Sequence, residues 1–317
     1  MRDMSPLFSI IVPVYNASLF ISRCMEGFLE QTCRDFELIC VDDGSQDDSL
    51  SLLQQYAARD SRIRVIHQKN AGVSAARNKG LAIASGQIIG FCDADDCYTR
   101  DALQQVKRVF AENECDLVVT GFIHVNTEGV RFSVCVPTET VSSAREIQER
   151  MLYDGRIMGY SVNKFFRREL ISGVLFCESY THCEDMHFIS QVLHDAPNAR
   201  VMISPSLTYE CYSNPKSATS DSSRLLDANG QLKYIPALTA IMRMYFGDWR
   251  MGRLVRSTLF RLLDVNSDFF QDRPDVVRGM AVAAMRYALP YLMCRKHQPL
   301  KVRIERVWQM IKRVLAR

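Results

Sequence analysis

The first hundred residues alternate two hydrophobic periods. Residues 8–14, 36–41, 63–67 and 87–92 are short apolar runs rich in Val, Ile and Phe, the pattern of strands covered on both faces. Between them, 17–31, 47–59 and 71–85 carry apolar residues at helical spacing. Strands and helices in this order predict an α/β fold. Its mostly parallel, Rossmann-like sheet is flanked by helices and joined by right-handed connections.

The rest of the chain is less regular. Residues 116–125 and 130–136 read as strands around a turn at 126–129, 143–153 and 184–194 as helices, and 208–212 as a short strand. The polar stretch 214–223 reads as a loop. Helical spacing then dominates over 231–246, 250–270 and 274–292, with Pro236 restricting or kinking the first of these. The expected organisation is an α/β domain over 1–220 and a helical C-terminal region over 221–317.

Composition narrows the class. The chain has 317 residues, 47% hydrophobic and 24% charged, as in an ordinary globular protein. The longest apolar candidate for a membrane span, 281–294, is broken by Arg286 and Pro290. The N-terminus runs directly into a strand, without the pattern of a signal peptide. Eleven cysteines, without a CxxC pair, suit reduced and mostly buried thiols and offer no zinc-ligand spacing. The expected location is the cytoplasm.

The net charge of +3 is uneven. Residues 295–317 hold eight basic side chains and one acidic, which leaves −4 on the remainder and argues against a nucleic-acid-binding body. Within this tail Ile304, Val307, Trp308, Ile311, Val314 and Leu315 recur at helical spacing. Residues 296–317 thus predict a basic amphipathic helix. It either lies peripherally on the inner face of the cytoplasmic membrane or packs on protein, the chain's own body or a homodimer partner.

The candidate chemistry gathers at strand ends. Asp93-Ala94-Asp95-Asp96 follows the fourth apolar run. Three carboxylates so close repel unless a cation or donors offset them. Oxygen-only ligands suit Mg²⁺ or Mn²⁺ shared with substrate phosphates, and the alternative is an acidic turn or helix cap. Pro13-Val14-Tyr15-Asn16 and Asp42-Asp43-Gly44-Ser45 end the first two strands. Asn70-Ala71-Gly72 opens the third helix and leads to Ala76-Arg77-Asn78. Ligands of open parallel sheets bind beyond the carboxyl ends of the strands, so the four motifs build one pocket. Further on, Glu184-Asp185 begins a helix. Acidic residues favour such a position through the helix dipole, and a carboxylate there could also act as a base.

The segments SIIVPVYN, FELICVDDGSQDDS, NAGVSAARNKGLAIASG and IIGFCDADD resemble, in order and spacing, the family 2 glycosyltransferases. These are inverting, nucleotide-sugar-dependent enzymes of the GT-A fold. The resemblance covers about 8–98 and continues more loosely through Asn163-Lys164 and Cys183-Glu184-Asp185-Met186 to about residue 217. It implies that Pro13, Tyr15, Asn16 and Asp43 bind the nucleotide of a UDP-sugar, with Asp43 accepting from the base. Arg77 would approach the base or diphosphate, Asp93 the ribose side, and Asp96 the sugar or acceptor. Asp95 would ligate Mn²⁺ or Mg²⁺, and Asp42 would be structural. Asp185 would be the catalytic base and Glu184 an acceptor or positioning group. His182 and His187 would touch metal or phosphate, or be structural. Lys164 would contact acceptor or phosphate, or be solvated. Residues 209–217 resemble a loop that closes over the donor, although the common arginine beside the tyrosine is missing. The implied reaction moves a hexose or N-acetylhexosamine to a hydroxyl of a glycan or lipid-linked saccharide in bacterial surface-polysaccharide synthesis. A sugar nucleotidyltransferase, a glycosidase and a non-catalytic nucleotide-sugar-binding scaffold are the alternatives.

Overall fold

The computed structural model of the chain describes residues 5–152, 154–214, 233 and 235–244. The chain divides into two compact units, Met1–Asn214 and Pro215–Arg317.

The first unit opens as the hydrophobic periods predict. β1 (Phe8–Val14), α1 (Ile21–Leu29), β2 (Phe36–Asp42), α2 (Ser49–Arg59), β3 (Ile63–His67), α3 (Val73–Ile83) and β4 (Ile88–Phe91) follow in turn. β1 lies parallel to β2 and to β4, and β2 parallel to β3. Alternate residues of β1 serve opposite faces. Phe8, Ile10, Val12 and Val14 join one core with α1, while Ile11 joins a second with α3. That two-sided burial explains why these strands read as unbroken apolar runs.

Beyond β4 the sheet becomes mixed. β5 (Cys97–Tyr98) and α4 (Ala102–Glu112) precede β6 (Leu117–Val125), β7 (Arg131–Cys135), β8 (Thr140–Ser143), α5 (Ala144–Met151) and β9 (Lys164–Arg167). α6 (Glu184–Asp195) and β10 (Arg200–Tyr212) complete the unit. The main strand order is β3-β2-β1-β4-β9-β6-β10-β5, with β7 on β6 and β8 on β10. β6 and β10 are parallel, but β9 pairs antiparallel with both β4 and β6. β9 thus joins the parallel half of the sheet to the rest. Phe165 faces one core and Phe166 the other.

Several of these elements are absent from the sequence expectation. β5 and β9 have two and four residues, too few to show a period. β10 is 13 residues long rather than a short strand at 208–212. Ser204-Pro205-Ser206 interrupts its apolar pattern, and the strand pairs there through irregular register. Proline is tolerated in a strand at such an irregularity. α4 buries Ala102, Leu103, Val106 and Phe110 at helical spacing.

In the second unit, α7 (Ile235–Met244) buries Ala237, Leu238 and Ile241. Pro236 sits in its first turn, where proline replaces an N–H that has no helical partner, so the helix continues past it. The helices expected over 250–270 and 274–292, and the basic helix over 296–317, lie outside the described residues. No helix among the described residues is long and apolar enough to cross a membrane. The ten described cysteines are free, six of them buried.

α3 rests directly on β1. A Cβ added at Gly80 would stand 2.5 Å from Cγ2 of Ile11. Gly80→Ala should therefore push α3 off the sheet and lower stability by about 1–3 kcal/mol, measured by urea unfolding. An unchanged unfolding midpoint would contradict this tight seating.

Candidate active site

The C-terminal ends of β1, β2 and β4 and the N-terminus of α3 lie along one edge of the sheet. Their loops are fastened to one another. Asn16, in the left-handed region at φ 48°, donates its N–H to Ser45 Oγ at 3.0 Å and accepts from Gln46 N–H through Oδ1 at 2.8 Å. Pro13 is half-buried and Tyr15 is 50% exposed at the same rim. Asp43 is buried. Its Oδ1 accepts from Gln68 Nε2 and Ala71 N–H, and its Oδ2 from Gly72 N–H, each at 2.8 Å. Gly72, at φ 95°, supplies the turn that aims its N–H at this carboxylate. Asp43 therefore clamps the β2 loop to the start of α3. A carboxylate has about four acceptor positions, so capacity for a ligand donor remains. Asp42 is fully buried against His67 Nδ1 at 2.7 Å.

Arg77 is the centre of the site. It is only 3% exposed and projects from α3 among three carboxylates. Nη2 donates to Asp93 Oδ1 at 3.0 Å; Nη1 donates to Glu184 Oε1 at 3.0 Å and to Asp185 Oδ1 at 2.8 Å. Its guanidinium lies 5.3 Å from the centre of the Phe176 ring. Burial opposes the charge on Arg77, but Asp185, Asp93 and Glu184 outweigh it and raise its pKa. Conversely, burial raises Asp93 and Glu184, each further raised by neighbouring carboxylates and only partly countered by Arg77. Asp185 also accepts from Ser161 through Oδ2, from the N–H at 2.9 Å and from Oγ at 3.0 Å.

The acidic run after β4 divides its labour. Asp93 and Asp95 are half-buried, whereas Asp96 is buried. Asp96 accepts from Tyr209 OH and from Tyr212 N–H, each at 2.7 Å, and so anchors β10. Burial and the charges of Asp95 and Asp93 hold Asp96 well above the usual carboxylate range. Asp95 accepts from Asn214 Nδ2 at 2.8 Å, and its carbonyl accepts from Arg23. Arg23 in turn lies 3.6 Å from the centre of the Tyr212 ring.

Among the described residues, no group of three or more His, Cys, Asp or Glu is arranged to hold a metal ion alone. The donors nevertheless fit a hard cation shared with a ligand. Asp95 and Asp93 offer only oxygen, and Mg²⁺ or Mn²⁺ commonly takes one or two carboxylates and completes its shell with phosphate and water. A diphosphate here would add negative charge beside two carboxylates, which a divalent cation offsets.

The two histidines and Lys164 have contacts of their own. His182 Nδ1 lies 3.4 Å from Thr181 Oγ1, and the His187 ring packs against Tyr180. Burial lowers the pKa of His187. Lys164, read above as an acceptor contact or a solvated side chain, is fully buried and donates to main-chain carbonyls. Of 209–217, read as a closing loop, residues 209–212 are the end of β10, fixed by Asp96; 215–217 lie outside the described residues. Ser161, Phe176 and Arg23 escaped the sequence reading because their roles come entirely from contacts distant in sequence.

Residues 9–175 match the model of glycosyl transferase family 2. The chain belongs to that family. EpsJ of Bacillus subtilis (strain 168), named an uncharacterized glycosyltransferase, is 35% identical over 224 residues, 68% of this chain and 64% of that protein. Chondroitin synthase of Escherichia coli is 44% identical over 99 residues, 31% of this chain and 14% of that protein. The matched stretch thus spans less than two thirds of these relatives' own length. The fold is that of TarS from S. aureus. Its structure in complex with UDP-GlcNAc superposes with a TM-score of 0.68 at 20% identity, over 89% of this chain and 83% of TarS.

Removing the guanidinium tests how the site is held. Arg77→Met should destabilise the protein by about 3–5 kcal/mol near neutral pH, because three carboxylates lose a buried partner. Groups whose pKa is raised in the fold, such as Asp93 and Glu184, favour folding at low pH and withdraw that support as pH rises. The deficit of the variant should therefore shrink between about pH 8 and pH 5 as protonation relieves their repulsion. Chemical denaturation at both pH values measures it, and a deficit that grows toward acid would refute this electrostatic account.

Proposed function

We propose that the protein is an inverting glycosyltransferase of bacterial surface-polysaccharide biosynthesis. It transfers a sugar from a UDP-sugar to a hydroxyl of a glycan or lipid-linked saccharide acceptor. The observation that carries this reading is the Arg77 cluster. Asp93, from the donor side at the end of β4, and Asp185, at the start of α6, pair with one guanidinium. Support for the donor class comes from TarS, solved with UDP and with UDP-GlcNAc. Support for the acceptor class comes from bacterial relatives such as chondroitin synthase.

In this reading the rim formed by Pro13, Tyr15 and Asn16, with Asp43 beneath it, receives the nucleotide. Asp93 and Arg77 stand toward the ribose and diphosphate, and Asp96 acts indirectly by holding β10 behind them. Asp95, with Asp93 beside it, would hold Mn²⁺ or Mg²⁺. When bound, that ion supplies neutralising charge for the departing diphosphate. Asp185 accepts the proton of the acceptor hydroxyl as its oxygen forms the bond to C1 of the donor sugar. The C1–O bond to phosphate breaks, and its electron pair leaves with UDP. Attack from the face opposite the leaving group inverts the anomeric centre. Glu184 and Arg77 orient Asp185, and Ser161 fixes its second oxygen.

A donor panel of UDP-glucose, UDP-galactose and their N-acetyl forms tests this, with UDP release followed in Mn²⁺ and in EDTA. Turnover should require the metal, and Asp185→Asn should lose about 10²–10⁴-fold in kcat. Asp95→Ala should mimic EDTA. Metal-independent turnover or full activity of Asp185→Asn would refute the assignment. Pyrophosphate release from a nucleoside triphosphate and a sugar phosphate would instead identify a nucleotidyltransferase.

A further inference from the structure

Lys164 opens β9, yet none of its surface is exposed. Its Nζ lies 3.0 Å from the carbonyl of Ile157, 2.8 Å from that of Met158, 2.7 Å from that of Tyr160 and 3.0 Å from Asn163 Oδ1. An ammonium has three protons, so these four acceptors occupy it fully. A lysine enclosed in this way cannot reach a substrate. Burying it is costly unless its donors are matched, and here the matching partners are the main chain of 157–160.

That main chain is an unusual turn. Met158 lies in the left-handed region at φ 45°, a conformation a side-chain-bearing residue adopts only under constraint. The outer side of the turn touches two consecutive residues of α6. Ser161 binds Asp185 Oδ2 through both its N–H and its Oγ. Gly159 packs so closely on Met186 that an added Cβ would stand 2.7 Å from the Met186 Cβ. The start of α6 has little fastening of its own. Its preceding residue, Cys183, is left-handed at φ 57° and provides no side-chain cap. The first turn of α6 is therefore held from outside, by Arg77 on one oxygen of Asp185 and by this turn on the other.

We propose that Lys164 is a positioning residue for Asp185. Its buried ammonium winds 157–160 into the turn that delivers Ser161 to the Asp185 carboxylate. The inference rests on the reading of Asp185 as the base. Lys164 acts only through main chain and Ser161 and contacts no reacting atom. It would set the direction of the Asp185 oxygens, so its loss should lower kcat and leave donor binding intact. Burial pushes the Lys164 ammonium down to about 7, against the pull of the Asp185 charge. The full set of four contacts belongs to the protonated form.

The test uses the full chain with Lys164→Met, Ser161→Ala and Ser161→Thr. Hydrogen exchange should accelerate at the amides of 157–161 in Lys164→Met, while those of β1 and β6 stay protected. The side-chain carboxyl ¹³C resonance of Asp185 should move in both Lys164→Met and Ser161→Ala. With any UDP-sugar that the wild type turns over, both variants should lose roughly tenfold to a hundredfold in kcat with donor KM unchanged, as expected for a misdirected catalytic group. Ser161→Thr, which keeps the hydroxyl, should recover most of that loss. Unchanged exchange at 157–161, or an unmoved Asp185 resonance, would overturn the proposal. If Lys164→Met loses protection throughout the sheet, Lys164→Gln, which keeps two N–H donors, replaces it: faster exchange at 157–161 with β1 and β6 protected is expected, and exchange at 157–161 equal to that of the wild type would overturn the proposal. If the wild type turns over no UDP-sugar, the proposed UDP-donor reading fails, and the exchange and resonance data still report whether Lys164 holds this turn.

Discussion

The buried guanidinium of Arg77 is the constraint around which the site is arranged. A cation so enclosed needs close counter-charges, and the fold draws them from two distant places. Asp93 comes from the end of β4, while Glu184 and Asp185 lie 107 and 108 residues beyond the arginine, at the start of α6. The pairing is mutual. The carboxylates make it possible to bury Arg77, and Arg77 makes it possible to hold three carboxylates together. Gly80, one turn further along α3, lets the helix approach β1 closely enough to bring the guanidinium to them.

The sheet provides the frame. Parallel strands β1, β2 and β4 end at one edge, where their loops are tied by Asn16, Ser45 and Asp43. β9, inserted antiparallel between β4 and β6, links that half to the strands that follow. Its first residue is Lys164, so the strand that joins the two halves of the sheet also anchors the turn under Asp185. Around Arg77 and Asp95 the balance of charge is acidic, which suits a cation brought in with a diphosphate better than a site complete in protein alone.

Much of this was legible in the sequence, for local reasons. Strands β1 to β4 and their helices declare themselves by period, and the four strand-end motifs fall where ligands of such sheets bind. The shorter elements were not legible. A two-residue β5 or a four-residue β9 has no measurable period, and the interruption at Pro205 hides the length of β10. Within the site, residue type was a partial guide. The run of Asp93, Asp95 and Asp96 looks uniform, yet Asp96 is buried against Tyr209 while half-buried Asp93 meets Arg77 and half-buried Asp95 meets Asn214. Lys164 was misread because lysine is ordinarily solvated, and only the fold reveals the carbonyls that surround it. The partners of Arg77 were individually visible, but their convergence was not.

The proposed chemistry makes Asp185 the single base acting opposite the departing diphosphate. The anomeric configuration of the transferred sugar tests this most directly, read by NMR on the first product formed from an α-linked UDP-sugar. A β-linked product is predicted. An α-linked product would require a second displacement, or attack on the same face as the leaving group, and would contradict the account.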